Sequence, residues 1–227
     1  MPDMPPTAAG AEDDEFTTVG AGAPTGWTEY DHGTQQTVSV VQAGLVLDHP
    51  AHAGASVTGI YKAIPAGDFT IWTKVHLSAL GNTNFAGAGM ALFEDASVST
   101  GDIRTHSLHI DANDTYMLNQ SMTAYNSAQS TVHSSTAGVG GPPEFMYLRI
   151  RRATTTYSYD FSSDGIGWQR KYTTAALGIT PTHFGLIAQI NGTGTGVRPR
   201  FEFFRYADSD VGLTFVMGGA SVDLSPL

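Results

Sequence analysis

Between Phe69 and Ser78 the chain alternates with a period of two. Phe69, Ile71, Val75 and Leu77 fall on one face with Thr73 between them, and Thr70, Trp72, Lys74, His76 and Ser78 fall on the other. This is the pattern of a strand with one face in a core and one polar face that carries a single large aromatic. Shorter runs repeat the theme. Residues 38–42, 44–48 and 57–62 read as strands near the start, followed by a turn signal at Pro65-Ala-Gly-Asp68. Gly87-Ala-Gly-Met-Ala-Leu-Phe93 is a strand of small, buried character. Residues 105–111 and 116–122 are predicted to form a hairpin around Ala112-Asn113-Asp114, and 126–143, rich in Ser, Thr and Gly, reads as a loop. Residues 145–152 form a strand with Met146, Leu148 and Ile150 inward. Residues 155–161 pair with 168–173, and 182–190 and 200–206 close the domain. Helical periodicity is missing throughout. About a dozen strands at short spacing predict an all-β, two-sheet antiparallel β-sandwich or jelly roll.

Composition agrees. A chain of 227 residues is ordinary for one large sandwich, and only 14% of it is charged, which suits strands better than a charge-laced helical protein. The net charge of -10 opposes phosphate backbones, and no basic amphipathic stretch offers itself to an anionic bilayer, so neither nucleic acid nor membrane is an expected partner. The absence of cysteine removes disulfides, thiolate chemistry and cysteine metal sites. Residues 1–15, Pro/Ala/Gly-rich and then acidic, are expected to form an extended N-terminal arm without the basic and apolar regions of a signal peptide. Residues 16–206 make the sandwich, and 207–227, apolar over 211–217, form a further strand or a docking tail.

The run from Gly67 to Tyr206 resembles the concanavalin A-like lectin/glucanase superfamily, in the style of jelly-roll domains found beside glycoside hydrolases. The residues that carry the resemblance begin with Asp68-Phe-Thr-Ile-Trp-Thr-Lys-Val75, Gly87-Ala-Gly-Met-Ala-Leu-Phe93 and Tyr147-Leu-Arg-Ile-Arg-Arg152. They continue with Tyr157-Ser-Tyr-Asp-Phe-Ser-Ser-Asp-Gly-Ile-Gly-Trp168, Pro181-Thr-His-Phe-Gly-Leu-Ile187 and Phe201-Glu-Phe-Phe-Arg-Tyr206. The resemblance implies a concanavalin A-like jelly roll and a lectin-like, polysaccharide-binding or glucanase function. The glucanase branch carries a Glu-x-Asp-x-x-Glu strand, which this chain lacks; Glu94-Asp95 and Glu12-Asp-Asp-Glu15 do not have its spacing. Retaining chemistry needs two carboxyls about 5 Å apart on rigid elements, so a binding protein without catalytic residues, metal or cofactor is expected, and a glycosidase or lyase is the lesser alternative.

A lectin-like sandwich on an arm, without a signal peptide, also resembles phage virion proteins such as tail fibres, baseplate adhesins and capsid decorations. That reading expects the arm to hold other virion proteins or further copies of this chain, localisation in the virion, and contact with host glycans. A free extracellular carbohydrate-binding module is the alternative.

Several groups are candidates for sites. Trp72, Lys74 and His76 share one strand face and offer a sugar platform, an aromatic face with polar neighbours, unless that face lies under a loop or the second sheet. Trp27 and Tyr30, with Asp31 and His32, follow the turn at Ala23-Pro-Thr-Gly26 and either line a groove or anchor the first strand. His106, His109, Asp111 and Asp114 surround a hairpin turn; a metal site there competes with a plain Asx-rich turn. Ser162-Ser-Asp-Gly-Ile-Gly-Trp168 resembles a sialidase Asp-box one residue short, and reads as a hairpin turned by Asp-Gly with Trp168 packed beneath. Gly192-Thr-Gly-Thr-Gly196 precedes no helix and reads as a hairpin loop.

Overall fold

The computed structural model describes residues 12–30, 36–42, 44–77, 86–94, 102–110, 115–123, 131–137, 145–190, 193–194, 196–208, 215–217 and 220–222. Among them every regular element is a strand. The first nine are β1 (Gly20–Ala21), β2 (Thr28–Tyr30), β3 (Thr37–Val41), β4 (Gly44–Asp48), β5 (His52–Ala53), β6 (Ser56–Ala63), β7 (Phe69–His76), β8 (Ala86–Phe93) and β9 (Ile103–Ile110). The rest are β10 (Thr115–Met122), β11 (Thr131–Ala137), β12 (Phe145–Ala153), β13 (Thr156–Ser162), β14 (Gln169–Thr174), β15 (His183–Ile190), β16 (Thr193–Gly194), β17 (Arg200–Asp208), β18 (Phe215–Met217) and β19 (Ala220–Val222).

Two antiparallel sheets carry the fold. One has eight strands in the order β1-β3-β4-β17-β7-β12-β13-β14, the other seven in the order β11-β10-β9-β8-β15-β6-β2. The alternation of β7 works as its sequence predicts: Phe69, Ile71, Thr73 and Val75 are buried between the sheets, and Trp72, Lys74 and His76 stand half-buried on the opposite face. Met146, Leu148 and Ile150 of β12 and Phe184, Leu186, Ala188 and Ile190 of β15 fill the same core. Thr73 is tolerated there because its hydroxyl donates to the Phe203 carbonyl at 2.6 Å.

Two expectations need correction. The segment 126–143 is not simply a loop, since β11 lies inside it and pairs with β10 from Tyr116↔Ala137 to Ser121↔Thr131. Its Ser/Thr-rich sequence hides the strand because an edge strand needs few apolar residues. Residues 12–15 are not a free arm either. Asp14 exchanges main-chain hydrogen bonds with Phe204 at 2.9 and 2.7 Å, Asp13 accepts from the Tyr206 amide at 2.7 Å, Glu15 pairs with Arg205, and Glu12 meets Lys62 at 3.5 Å. The acidic run is a strap laid on β17, and residues 1–11 lie outside the described residues. The segment 192–196 contributes β16, which pairs with β5.

The strap plants the first core residue. Asp14 accepts from the Phe16 amide at 2.7 Å and from the Trp27 indole at 3.0 Å, and Phe16 enters the core with a left-handed φ of 48°. A bulky residue there is strained, and the burial of its ring against Trp27 offsets that strain.

Close strand approach sets another limit. A β-carbon at Gly59 would lie 2.0 Å from the Leu186 carbonyl oxygen, whereas one at Gly20 would meet nothing within 4 Å. Gly59→Ala is therefore expected to lower unfolding stability by about 1–3 kcal/mol, and Gly20→Ala to leave it within about 0.5 kcal/mol. Urea unfolding of the two variants measures both, and equal midpoints would refute the close approach.

Candidate functional site

The residues singled out on β7 are brought together, with partners the sequence did not reveal. Glu202 of β17 accepts from Lys74 at 3.0 Å and contacts His76 Nε2 at 2.5 Å. Burial holds the His76 imidazole below its ordinary pKa despite that carboxylate, so the neutral ring donates to it. Burial alone would raise Glu202, but the hydrogen bonds from Lys74 and His76 outweigh it and hold the carboxyl below its usual range. Lys74 also lies over the Phe145 ring at 4.3 Å. Trp72 is opposite Arg149 on one side and Arg205 on the other. This face belongs to the outside of the eight-stranded sheet.

Trp27 and Tyr30 are placed elsewhere. Trp27 is 7% exposed and packs on Phe16, Phe184 and Phe204; Tyr30 is 1% exposed and packs on Phe93. Their rings have no open face for a sugar, and they anchor the first strands instead. Asp31 and His32 lie outside the described residues.

A third place was not singled out from the sequence. A cleft opens between the sheets where β9, β10 and β11 face β13 and β14, lined by Arg104, Asn119, His133, Tyr159, Tyr172 and Leu177 among others. A ladder of rings leads into it. His133, exposed, stacks on Tyr172 at 5.5 Å and 18°; Tyr172 lies 5.8 Å from Tyr159; Tyr159 lies 5.6 Å from the fully buried His106. The hydrogen bonds fix the polar atoms at its floor. His106 Nε2 meets the Asp160 carbonyl at 2.7 Å and must donate, so His106 Nδ1 accepts from the Asn119 amide at 3.0 Å. That orients Asn119 with Oδ1 as a buried acceptor without a partner, and the Tyr159 hydroxyl is likewise buried without one. The cleft is open to solvent and narrow, its volume of about 10 Å3 being at the lower limit for a single water molecule. Spacing could not disclose this cleft, because its two walls, β9–β11 and β13–β14, belong to different sheets and meet only when the sheets face each other.

The outer face of the seven-stranded sheet carries a second polar set. Gln189 donates to His109 Nε2 and to Gln120 Oε1, each at 2.8 Å, and Ser107 meets the same imidazole nitrogen at 2.9 Å. The His109 ring lies flat across Gly87, where a β-carbon would come within 2.5 Å of it. His109 and Gln189 are fully buried, so this set has no opening for a ligand. As to the metal reading, His106 and His109 point to opposite faces of β9, residues 111–114 lie outside the described residues, and no metal-holding group of side chains occurs among those described. The Asp-Gly turn is as read, for Asp164 accepts from the Ile166 and Gly167 amides, each at 2.8 Å, and Gly165 has a φ of 77°, but the ring against Gly165 is that of Tyr147, and Trp168 lies beneath Arg149 at 4.1 Å.

The buried histidines make a pH prediction. Burial lowers His106 to about 4 and His109 to about 3. Below pH 6.5 the unfolded chain takes up protons that the folded chain refuses. Their contribution is therefore whole above that pH and lost on acidification toward pH 4 and then 3, at about 1.4 kcal/mol per pH unit for each ring. Urea unfolding at pH 7 and pH 4.5 measures this, and His109→Gln is expected to flatten the decline by one ring's share.

No protein-family model matches the sequence, and no curated protein matches it. Solved structures do match in fold. The GH43 BlXynB protein from Bacillus licheniformis superposes with a TM-score of 0.63 at 16% identity, over 87% of this chain and 39% of that one. The chain thus spans about two-fifths of that protein's length. A legume lectin-like domain from Entamoeba histolytica gives a TM-score of 0.56 at 11% identity, over 81% and 90% of the two chains. The CBM2 module of Lactobacillus casei BL23 phage J-1 evolved Dit gives 0.58 at 10% identity, over 86% and 93%. With its two facing antiparallel sheets and these likenesses, the chain has the concanavalin A-like sandwich fold that the residues from Gly67 to Tyr206 resemble.

Proposed function

We propose that this protein is a non-catalytic carbohydrate-binding protein and that the edge cleft takes the sugar. One observation carries the reading: a cleft with the His133–Tyr172 ring pair at its mouth is lined by Asn119 and Tyr159, and behind its surface the Asn119 Oδ1 acceptor and the Tyr159 hydroxyl are buried without partners. A sugar hydroxyl donates to the first and accepts from the second, while a pyranose C–H face rests on the outer rings. The lectin-like and carbohydrate-binding-module names among the structural neighbours support the same class of ligand. For the absence of catalysis, the support is that no carboxylate lines the cleft among the described residues, and that Glu202 is engaged by cations and held ionised.

A glycan array followed by calorimetry tests this. Tyr172→Ala is expected to weaken the best glycan about tenfold. Tyr159→Phe should weaken it while leaving stability unchanged or raised, since an unpartnered buried hydroxyl is removed. A folded protein that binds no glycan on the array would refute the proposal.

A finer reading places the protein in a phage virion as a capsid decoration or tail adhesin that joins other virion proteins, or further copies of itself, through residues 1–11. The likeness to the phage Dit module over most of both chains favours it. Deleting residues 1–11 while keeping the strap at 12–15 should leave a folded domain that no longer assembles; normal incorporation of the shortened chain would refute it.

A further inference from the structure

The outer face of the eight-stranded sheet carries a charge pattern that the cleft does not use. Five strands present one cross-strand row: Arg205 on β17, Trp72 on β7, Arg149 on β12, Asp160 on β13 and Arg170 on β14, each directly opposite the next. At about 4.8 Å per strand the row spans about 19 Å.

Asp160, fourth in this row, lies between Arg149 and Arg170, and its side chain is 2% exposed. Arg149 and Arg151 meet its Oδ2 at 3.0 and 3.2 Å, and Arg170 meets its Oδ1. A guanidinium carries five N–H donors, so one carboxylate cannot satisfy both the donors and the charge of Arg149 and Arg170. Arg149 and Arg170 alone outnumber it. Burial pushes Arg149 below its ordinary pKa in spite of Asp160, which marks a cation whose desolvation is incompletely compensated. Arg205, by contrast, is matched by Asp13 and Glu15 of the strap. The cationic excess therefore sits over β12–β14, on a chain whose net charge is -10. Flat rings are interleaved with it: Trp168 lies 4.1 Å beneath the Arg149 guanidinium, and Trp72, half-buried, is opposite that arginine.

We infer that this face is a second binding surface, distinct from the cleft, for saccharides that bear carboxylates, such as uronic-acid chains. Planar guanidiniums take carboxylates in two-point fashion, and indole faces take the C–H surface of a sugar ring. A chain with a carboxylate on every unit complements both at once. An acidic peptide offers the charge without a ring for Trp72, and a second copy of this acidic chain offers the charge alone.

Calorimetry on the full chain with a short oligogalacturonate, its methyl ester and polyglutamate tests the inference. The acid form is expected to bind and to lose about tenfold in affinity between 0.05 and 0.5 M salt. Arg170→Gln, at an exposed site, and Trp72→Ala should each weaken it several-fold, and the methyl ester should bind at least tenfold more weakly. Tyr172→Ala should leave this affinity unchanged. Absence of binding to the acid form at low salt, or equal binding of the ester, overturns the inference. So does equal binding of polyglutamate, or a salt-sensitive dimer that competes with the saccharide. Loss of binding in Tyr172→Ala would move the acidic sugar to the cleft, overturning this surface while leaving the carbohydrate-binding proposal in place.

Discussion

The contact on which the rest depends is the stack of Phe184 on Phe204, at 4.9 Å and 20°, where the two sheets meet. Trp27 closes edge-on against both rings, Phe16 covers Trp27, and Tyr206 lies along Phe184. One aromatic cluster thus joins β15, β17 and the amino-terminal strap. Packed sheets deform little, so this cluster holds the spacing that lets a narrow cleft persist at the β11/β14 edge.

Asp160 and His106 tie the interior to the outer surface. Main-chain and side-chain atoms of Asp160 have different tasks: its carbonyl accepts from His106 of the opposite sheet, and its carboxylate gathers three arginines outside. The cleft floor and the arginine face therefore share one residue. Removing the Asp160 carboxylate would leave neighbouring guanidiniums crowded and uncompensated, a costly arrangement at partly buried positions.

Much of the fold was legible in sequence because period-two alternation reports burial directly, as in β7 and β12. The β13–β14 hairpin was legible because Asp164-Gly165 announces its turn chemistry. β11 was not, since its residues are polar and, among the described strands, it pairs with β10 alone at the sheet edge. Trp72, Lys74 and His76 were found as a group because they share a strand face. Glu202, Arg149 and Asp160 were missed because cross-strand partners depend on register, which one sequence does not display. Trp27 and Tyr30 illustrate the converse: an aromatic beside a turn looks the same in sequence whether it faces solvent or core, and here the core takes both.

The strap links residue 14 to residue 204, nearly the whole length of the domain apart. A ribosome delivers the strap before the strand that receives it, with β1 to β16 made in between. Phe16 and Trp27 consequently wait for Phe184 and Phe204 while those strands are made. Closure of such distant ends is slow, and the waiting rings are open to misassociation. The carboxylates flanking Phe16 keep that segment hydrated in the interim, and the same charges later seat it on Arg205 and Lys62.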